Sequence, residues 1–193
     1  MTHSEASVGV SNLCGVMAKP TELAWRCGVH VVKWLQGQRL RGVRHSANGD
    51  PAPAAHSDAS DKPDPVDGEC QCGYHAQWMG GPITHHSSKL HHVGLNAFHD
   101  ECMGLCHASE CVVWLRQSLG EMDLNEAITD PAVVHGDDDA SIHLTVEDFV
   151  STGNQYVYPP CHYNKEVAGS VCSKKITPPS SYRVWRLIPH NQS

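Results

Sequence analysis

One long stretch of helical periodicity constrains this chain more than any other feature of its sequence. Apolar side chains recur every three or four residues between positions 97 and 119, at Phe98, Cys102, Leu105, Ala108, Val112, Leu115 and Leu119. This spacing predicts an amphipathic helix of about six turns, whose apolar face must be buried against another layer of structure. Glu101 lies on the edge of that face, where a carboxylate is costly to bury unless it binds a cation.

Shorter patterns on both sides of this helix predict a sheet. Strands are expected over residues 54–58, 74–79, 83–86, 132–135 and 171–176, and a further short strand over residues 40–46. Turns are expected at Asn48-Gly49-Asp50 and Gly80-Gly81-Pro82. Helices are expected over residues 21–36 and 140–146, with loops over 61–73 and 153–163 and a short helix beginning near His162. The order of these elements predicts an α/β fold in which helices pack on the faces of a mixed sheet.

Composition excludes some classes of protein. No apolar run approaches the roughly 20 residues that a membrane span needs, and the N-terminus lacks the pattern of a secretory signal. Nine cysteines at irregular spacings indicate reduced thiols in an intracellular protein, of unspecified compartment. The net charge of −7 is uneven, with basic residues concentrated in positions 19–44 and acidic residues in positions 50–69. The basic segment suits a nucleic acid and the acidic one a cation, although solvated surface charge explains both equally well.

Several motifs resemble the RNase H region of copia-type LTR retrotransposon polyproteins. Residues 80–89 resemble that family's "GG-x-I-x-W-x-S-K" strand, and residues 93–105 its "V-A-L-S-S-x-E-A-E-Y-x-A-L" helix. Residues 17–25 resemble the connection between its reverse transcriptase and its RNase H. Weaker matches occur at residues 113–117, 134–137 and 152–156, so the resemblance covers roughly residues 12–177.

The resemblance implies an RNase H-like fold with a metal-dependent active site. Asp58, Glu101 and Asp137 match the family's first three catalytic acids, which are both its catalytic residues and its metal ligands. Such a site hydrolyses the RNA strand of an RNA–DNA hybrid with two magnesium ions, which manganese can replace. The resemblance also divides the chain into a flexible lead-in (1–11), a connection helix and hairpin strand (12–51), an RNase H-like domain (52–177) and a divergent tail (178–193).

The chain departs from the family pattern at its C-terminal end. The family's fourth acid lies after the final strand, whereas here Tyr182-Arg183-Val184-Trp185-Arg186 occupies that stretch and no acid occurs in residues 168–193. His56, His86 and Cys102 also replace aromatic residues of the pattern. These departures indicate a degenerate copy with impaired activity. The alternative is a non-catalytic structural or interaction module within a larger assembly.

The prolines of residues 178–181 further predict that the family's terminal helix is absent or misplaced. Its loss is expected to leave apolar surface near Val112 and Leu115 less covered. The tail or a protein partner covering the sheet would then have to shield that surface.

Histidine and cysteine residues offer two further readings. His99, Cys102 and Cys106 fall on neighbouring turns of the long helix, but paired CxxC motifs typical of structural zinc are absent from the sequence. Cys106 and His107 are adjacent in sequence and therefore point in different directions on a helix, which gives little support to a cysteine nucleophile. Packing of small thiols in the core accounts better for these residues.

Overall fold

The structure, a computed structural model, describes residues 3–60, 68–90, 97–128 and 132–146, and the backbone of residues 171–175. The helices are α1 (Ser7–Gly15), α2 (Glu22–Gly37), α3 (Ala97–Glu121) and α4 (Asp139–Val146), with short 3-10 helices at Ser4–Ala6 and Asn125–Ile128. The strands are β1 (Ala54–Ala59), β2 (Gln71–Trp78), β3 (Gly81–Lys89), β4 (Ala132–Gly136) and β5 (Val171–Lys175).

The strands form a five-stranded mixed sheet in the order β3-β2-β1-β4-β5. The first three strands along the chain pair antiparallel, and β4 and β5 then run parallel to β1. The long helix α3 is the connection between β3 and β4, and α4 follows β4. This topology confirms the predicted RNase H-like α/β fold, with a helix ahead of the sheet.

The apolar stripe of α3 packs on one face of the sheet. Val112 is fully buried in a cluster with Ala55, Ala76 and Val134 of three neighbouring strands. Leu115 is 4% exposed and belongs to a second cluster with Leu119 and Ala127, against which Trp78 packs. Both side chains face the sheet side of α3, so Val112 and Leu115 are themselves buried. Coverage of the nearby surface by the tail or a partner stays a prediction, because residues 178–193 lie outside the described part of the chain.

Residues 7–15 form a helix, although the sequence predicted a loose lead-in through position 11. Helix α1 packs against β3 and α2. The Gln71 Nε2 atom of β2 donates hydrogen bonds to Ser11 Oγ at 3.2 Å and to Ser87 Oγ at 2.8 Å. Gln71 alternates with buried Cys72, so it points away from α3. Helix α1 thus covers part of the sheet face opposite α3.

The prediction of a strand over residues 40–46 is also wrong. Leu40 is 93% exposed, and residues 41–46 do not join the sheet, although residues 44–46 contact the turn between β2 and β3. The Ser46 N–H donates to the Met79 carbonyl, and the turn expected at Asn48-Gly49-Asp50 is present. The predicted loop over residues 61–73 ends earlier than expected, since Gln71 already belongs to β2.

Other expectations fall outside the described residues. These are the connection over 153–163, the helix near His162, and the whole tail over 178–193. Within the described part of the chain, no helix is long and apolar enough to cross a membrane. The seven cysteines described form no disulfide bond with one another. The domain boundaries stay predictions.

We predict that the contact of α3 with the sheet dominates the stability of this fold. Leu105 is 1% exposed, and its Leu105→Ala variant should lose about 2–5 kcal/mol of unfolding free energy, because a cavity forms where α3 meets the sheet. Leu40→Ala is the matched control and should change stability by less than about 0.5 kcal/mol. Urea unfolding measures both, and equal losses in the two variants would contradict this account of the core.

Candidate metal centre

Three acidic side chains come from three separate elements. Asp58 is the penultimate residue of β1, Glu101 lies in the second turn of α3, and Asp137 directly follows β4. Strands β1 and β4 are parallel, and their register pairs Ala54 with Val133 and His56 with His135. The same register extended by two residues brings Asp58 beside Asp137 at the carboxyl ends of both strands.

Two local contacts hold Glu101 close to β1. The Ala59 backbone N–H donates a hydrogen bond to Glu101 Oε1 at 3.2 Å. One turn further along α3, Gly104 permits a close approach of the helix, since a Cβ atom there would lie 3.3 Å from Cys72 Sγ and 3.8 Å from Ser57 Cβ. A larger residue at position 104 would therefore push α3, and Glu101 with it, away from the end of β1.

The three carboxylates come together as the sequence predicted. Each offers an oxygen atom, and these atoms all lie within 4.8 Å of one another. Asp58 and Asp137 are exposed, whereas Glu101 is only 6% exposed. An all-oxygen donor set with one face open to solvent suits a hard divalent cation such as magnesium or manganese. The arrangement can therefore hold a metal ion.

The electrostatics of the cluster also favour a cation. Burial is the largest of the effects that raise the pKa of Glu101 from its ordinary 4.5 to about 8, and the neighbouring carboxylates of Asp137, Asp58 and Asp138 act in the same direction. The Ala59 N–H acts in the opposite direction, because it stabilises the ionised form. A bound cation would remove the repulsion that keeps this proton on Glu101.

The histidines and cysteines of α3 do not form a comparable site. Among the described residues, Asp58, Glu101 and Asp137 are the one cluster of histidine, cysteine or acidic side chains that are close enough together to hold a metal ion. Cys72 lies beside them, but burial, Glu101 and Asp58 raise the pKa of its thiol to about 12. A cysteine binds metals as the thiolate, so Cys72 is a poor ligand at neutral pH.

Asp138 contributes to this region, although the sequence analysis gave it no role. Its Oδ2 atom accepts a hydrogen bond from the Ser141 N–H at 2.8 Å, and its carbonyl accepts one from the Ser141 hydroxyl. These bonds cap the start of α4 directly after Asp137. An aspartate directly before a helical pattern is the signal that predicts such a cap. Asp138 therefore fixes the chain that carries Asp137.

Comparisons with known proteins give limited sequence similarity. No family model matches the chain. Secreted RxLR effector protein 161 of Plasmopara viticola is 26% identical over 115 residues, which span 60% of this chain and 81% of that protein.

Similar solved structures are RNase H domains. RNase H1 of Halobacterium salinarum NRC-1 aligns with a TM-score of 0.45 at 11% identity, over 65% of this chain and 85% of that one. LC11-RNase H1 in complex with an RNA/DNA hybrid gives 0.45 at 12% identity, over 64% and 84%. The foamy viral protease-reverse transcriptase, also with an RNA/DNA hybrid, gives 0.48 at 11% identity, over 82% and 24%.

The strand order, the position of α3 and the acidic cluster together define an RNase H-like domain. The assignment of the class depends on these features of the chain itself. The ancestry of the domain and its activity are a separate question.

We predict that Glu101 makes the metal-free protein less stable as the pH rises. The unfolded chain releases this proton near the ordinary pKa of 4.5 and the folded chain at about 8, so the folded state binds more protons in between and stability falls across that window. Glu101→Gln cannot ionise but still offers an acceptor to Ala59. At pH 8 and without metal it should therefore exceed the wild type by about 1 kcal/mol or more.

Urea unfolding in a chelator at pH 5 and pH 8 measures this effect. Glu121→Gln, at the exposed end of the same helix, is the control and should keep the wild-type pH dependence. Parallel pH profiles for the Glu101→Gln variant and the wild type would contradict the proposed burial of an ionisable group.

Proposed function

We propose that this chain is a divalent-metal-dependent nuclease domain that acts on the RNA strand of RNA–DNA hybrids. The observation that carries the proposal is the meeting of Asp58, Glu101 and Asp137 at one end of an RNase H-like sheet. Three carboxylates from β1, α3 and β4 repel one another at this distance, and a bound cation would offset that repulsion.

Asp58, Glu101 and Asp137 are the residues that would hold magnesium or manganese. Bound ions of this kind activate a water molecule and stabilise the departing 3′ oxygen of a phosphodiester. The hydrogen bond from the Ala59 N–H holds the Glu101 carboxylate in a fixed, buried position. Asp58 and Asp137 are exposed and face the solvent from which a nucleic acid would approach. Asp138 positions Asp137 by capping α4.

The proposal includes a reduced activity, because the sequence lacks the fourth acid of the family it resembles. No acidic residue occurs in positions 168–193. The resemblance to copia-type polyproteins supports an origin in such an element, and the nine irregularly spaced cysteines support an intracellular location. The missing acid equally supports the alternative, in which the fold serves as a non-catalytic interaction module.

A cleavage assay distinguishes the two functions. The full chain is incubated with an RNA–DNA hybrid labelled on the RNA strand, in magnesium and separately in manganese. We expect slow cleavage in the wild type and a loss of at least about a hundredfold in Asp137→Asn, because the site loses one of its three charges. Asp123→Asn, an exposed acid beyond the end of α3, is the control and should cleave like the wild type. Absence of cleavage in the wild type would support the interaction module.

Metal binding is tested separately from catalysis. Manganese should raise the melting temperature of the wild type, because an ion that binds only the folded state stabilises it by mass action. Asp58→Asn should weaken manganese binding by about tenfold or more, as measured by calorimetric titration, while Asp123→Asn should not. Manganese binding without cleavage of the hybrid would support the metal site and contradict the proposed nuclease activity.

A further inference from the structure

A second site lies on the same helix as Glu101, away from the three acids. A groove of about 440 Å³ opens between α3 and strands β2 and β3, of which β3 is at the edge of the sheet. Its lining consists of Tyr74, Thr84, His86, His107, Glu110, Cys111 and Trp114. None of these residues has a role in the proposed metal centre.

Aromatic rings form much of the lining. Tyr74 and His86 are cross-strand partners, and their rings stack with centroids 5.6 Å apart at an interplanar angle of 26°. Trp114 is 58% exposed, although the apolar stripe of α3 is buried against the sheet. The groove therefore offers π surfaces from both the sheet and the helix to a flat or cationic group.

The polar groups of the groove favour a positively charged occupant. Glu110 lies four residues before Trp114, so the two side chains are neighbours on the surface of α3. Glu110 is exposed, and none of the described residues that line the groove is a lysine or an arginine. Burial and Cys111 raise the pKa of Tyr74 to about 12, so its hydroxyl stays protonated and can also accept a hydrogen bond.

We propose that this groove binds the guanidinium group of an arginine side chain presented by a protein partner. A guanidinium stacks on tryptophan and tyrosine rings while it donates paired hydrogen bonds to a carboxylate such as Glu110. An ammonium has the charge but lacks the flat face. A nucleobase could stack on the same rings, but its sugar-phosphate backbone would bring negative charge beside Glu110, where no lysine or arginine of the described lining offsets it.

The test follows the indole N–H resonance of Trp114 in the full chain by NMR, assigned with Trp114→Phe. The probe is the blocked tripeptide acetyl-Gly-Arg-Gly-amide, compared with its lysine analogue and with cytidine, up to millimolar concentrations. We expect a saturable shift with the arginine peptide and binding at least about fivefold weaker for the lysine peptide and for cytidine. The Trp25 indole, 69% exposed on α2, should show no saturable shift.

Two charge variants complete the test. Glu110→Gln should weaken binding of the arginine peptide by about fivefold or more, whereas Glu121→Gln, an exposed acid at the end of the same helix, should not. Equal losses in both variants would mean bulk attraction of a cation and would overturn the proposal. Binding of cytidine as tight as that of the arginine peptide would also overturn it, in favour of a nucleobase site. So would the absence of a saturable shift.

Discussion

The burial of Glu101 beside two other carboxylates is the constraint on which the site depends. Its side chain is fixed by the Ala59 N–H and by the close approach that Gly104 allows between α3 and the strands. Without a cation, the group is held protonated far above its ordinary pKa, which costs stability near neutral pH. The same helix supplies the apolar core through Leu105 and Val112, so the fold cannot relieve this cost by moving α3 away without losing its core.

The strongest sequence patterns predicted the fold, and the weakest ones failed. The stripe of α3 is regular over more than twenty residues, and it matches a helix found over Ala97–Glu121. Helix α1 was missed because Ser7–Gly15 contains mostly small residues with little amphipathic contrast, and it is held in place by packing on β3 and α2. The segment over residues 40–46 has strand-like composition, but its end lies beside the turn between β2 and β3 and it does not pair with a strand of the sheet.

The site was predictable only in part. Periodicity predicted that Glu101 lies at the edge of a buried face. Local spacing could not predict that Asp58 and Asp137, which are distant in sequence, lie beside it. That step came from the family resemblance, and the parallel register of β1 and β4 supplies its physical reason. The contributions of Asp138 and Gly104 depend on tertiary contacts, although the helix cap at Asp138 carries a local signal that sequence reasoning can use.

Helix α3 carries two acidic residues whose surroundings suit two different kinds of cation. Glu101 belongs to an all-oxygen cluster suited to a small hard cation, whereas Glu110 and Trp114 face a groove suited to a larger organic cation. At about 1.5 Å per residue, Trp114 lies roughly 20 Å from Glu101 along the axis, so one rigid helix fixes their separation. The described lining of the groove contains no lysine or arginine to receive a phosphate, which makes it a poor extension of a nucleic-acid path from the metal centre.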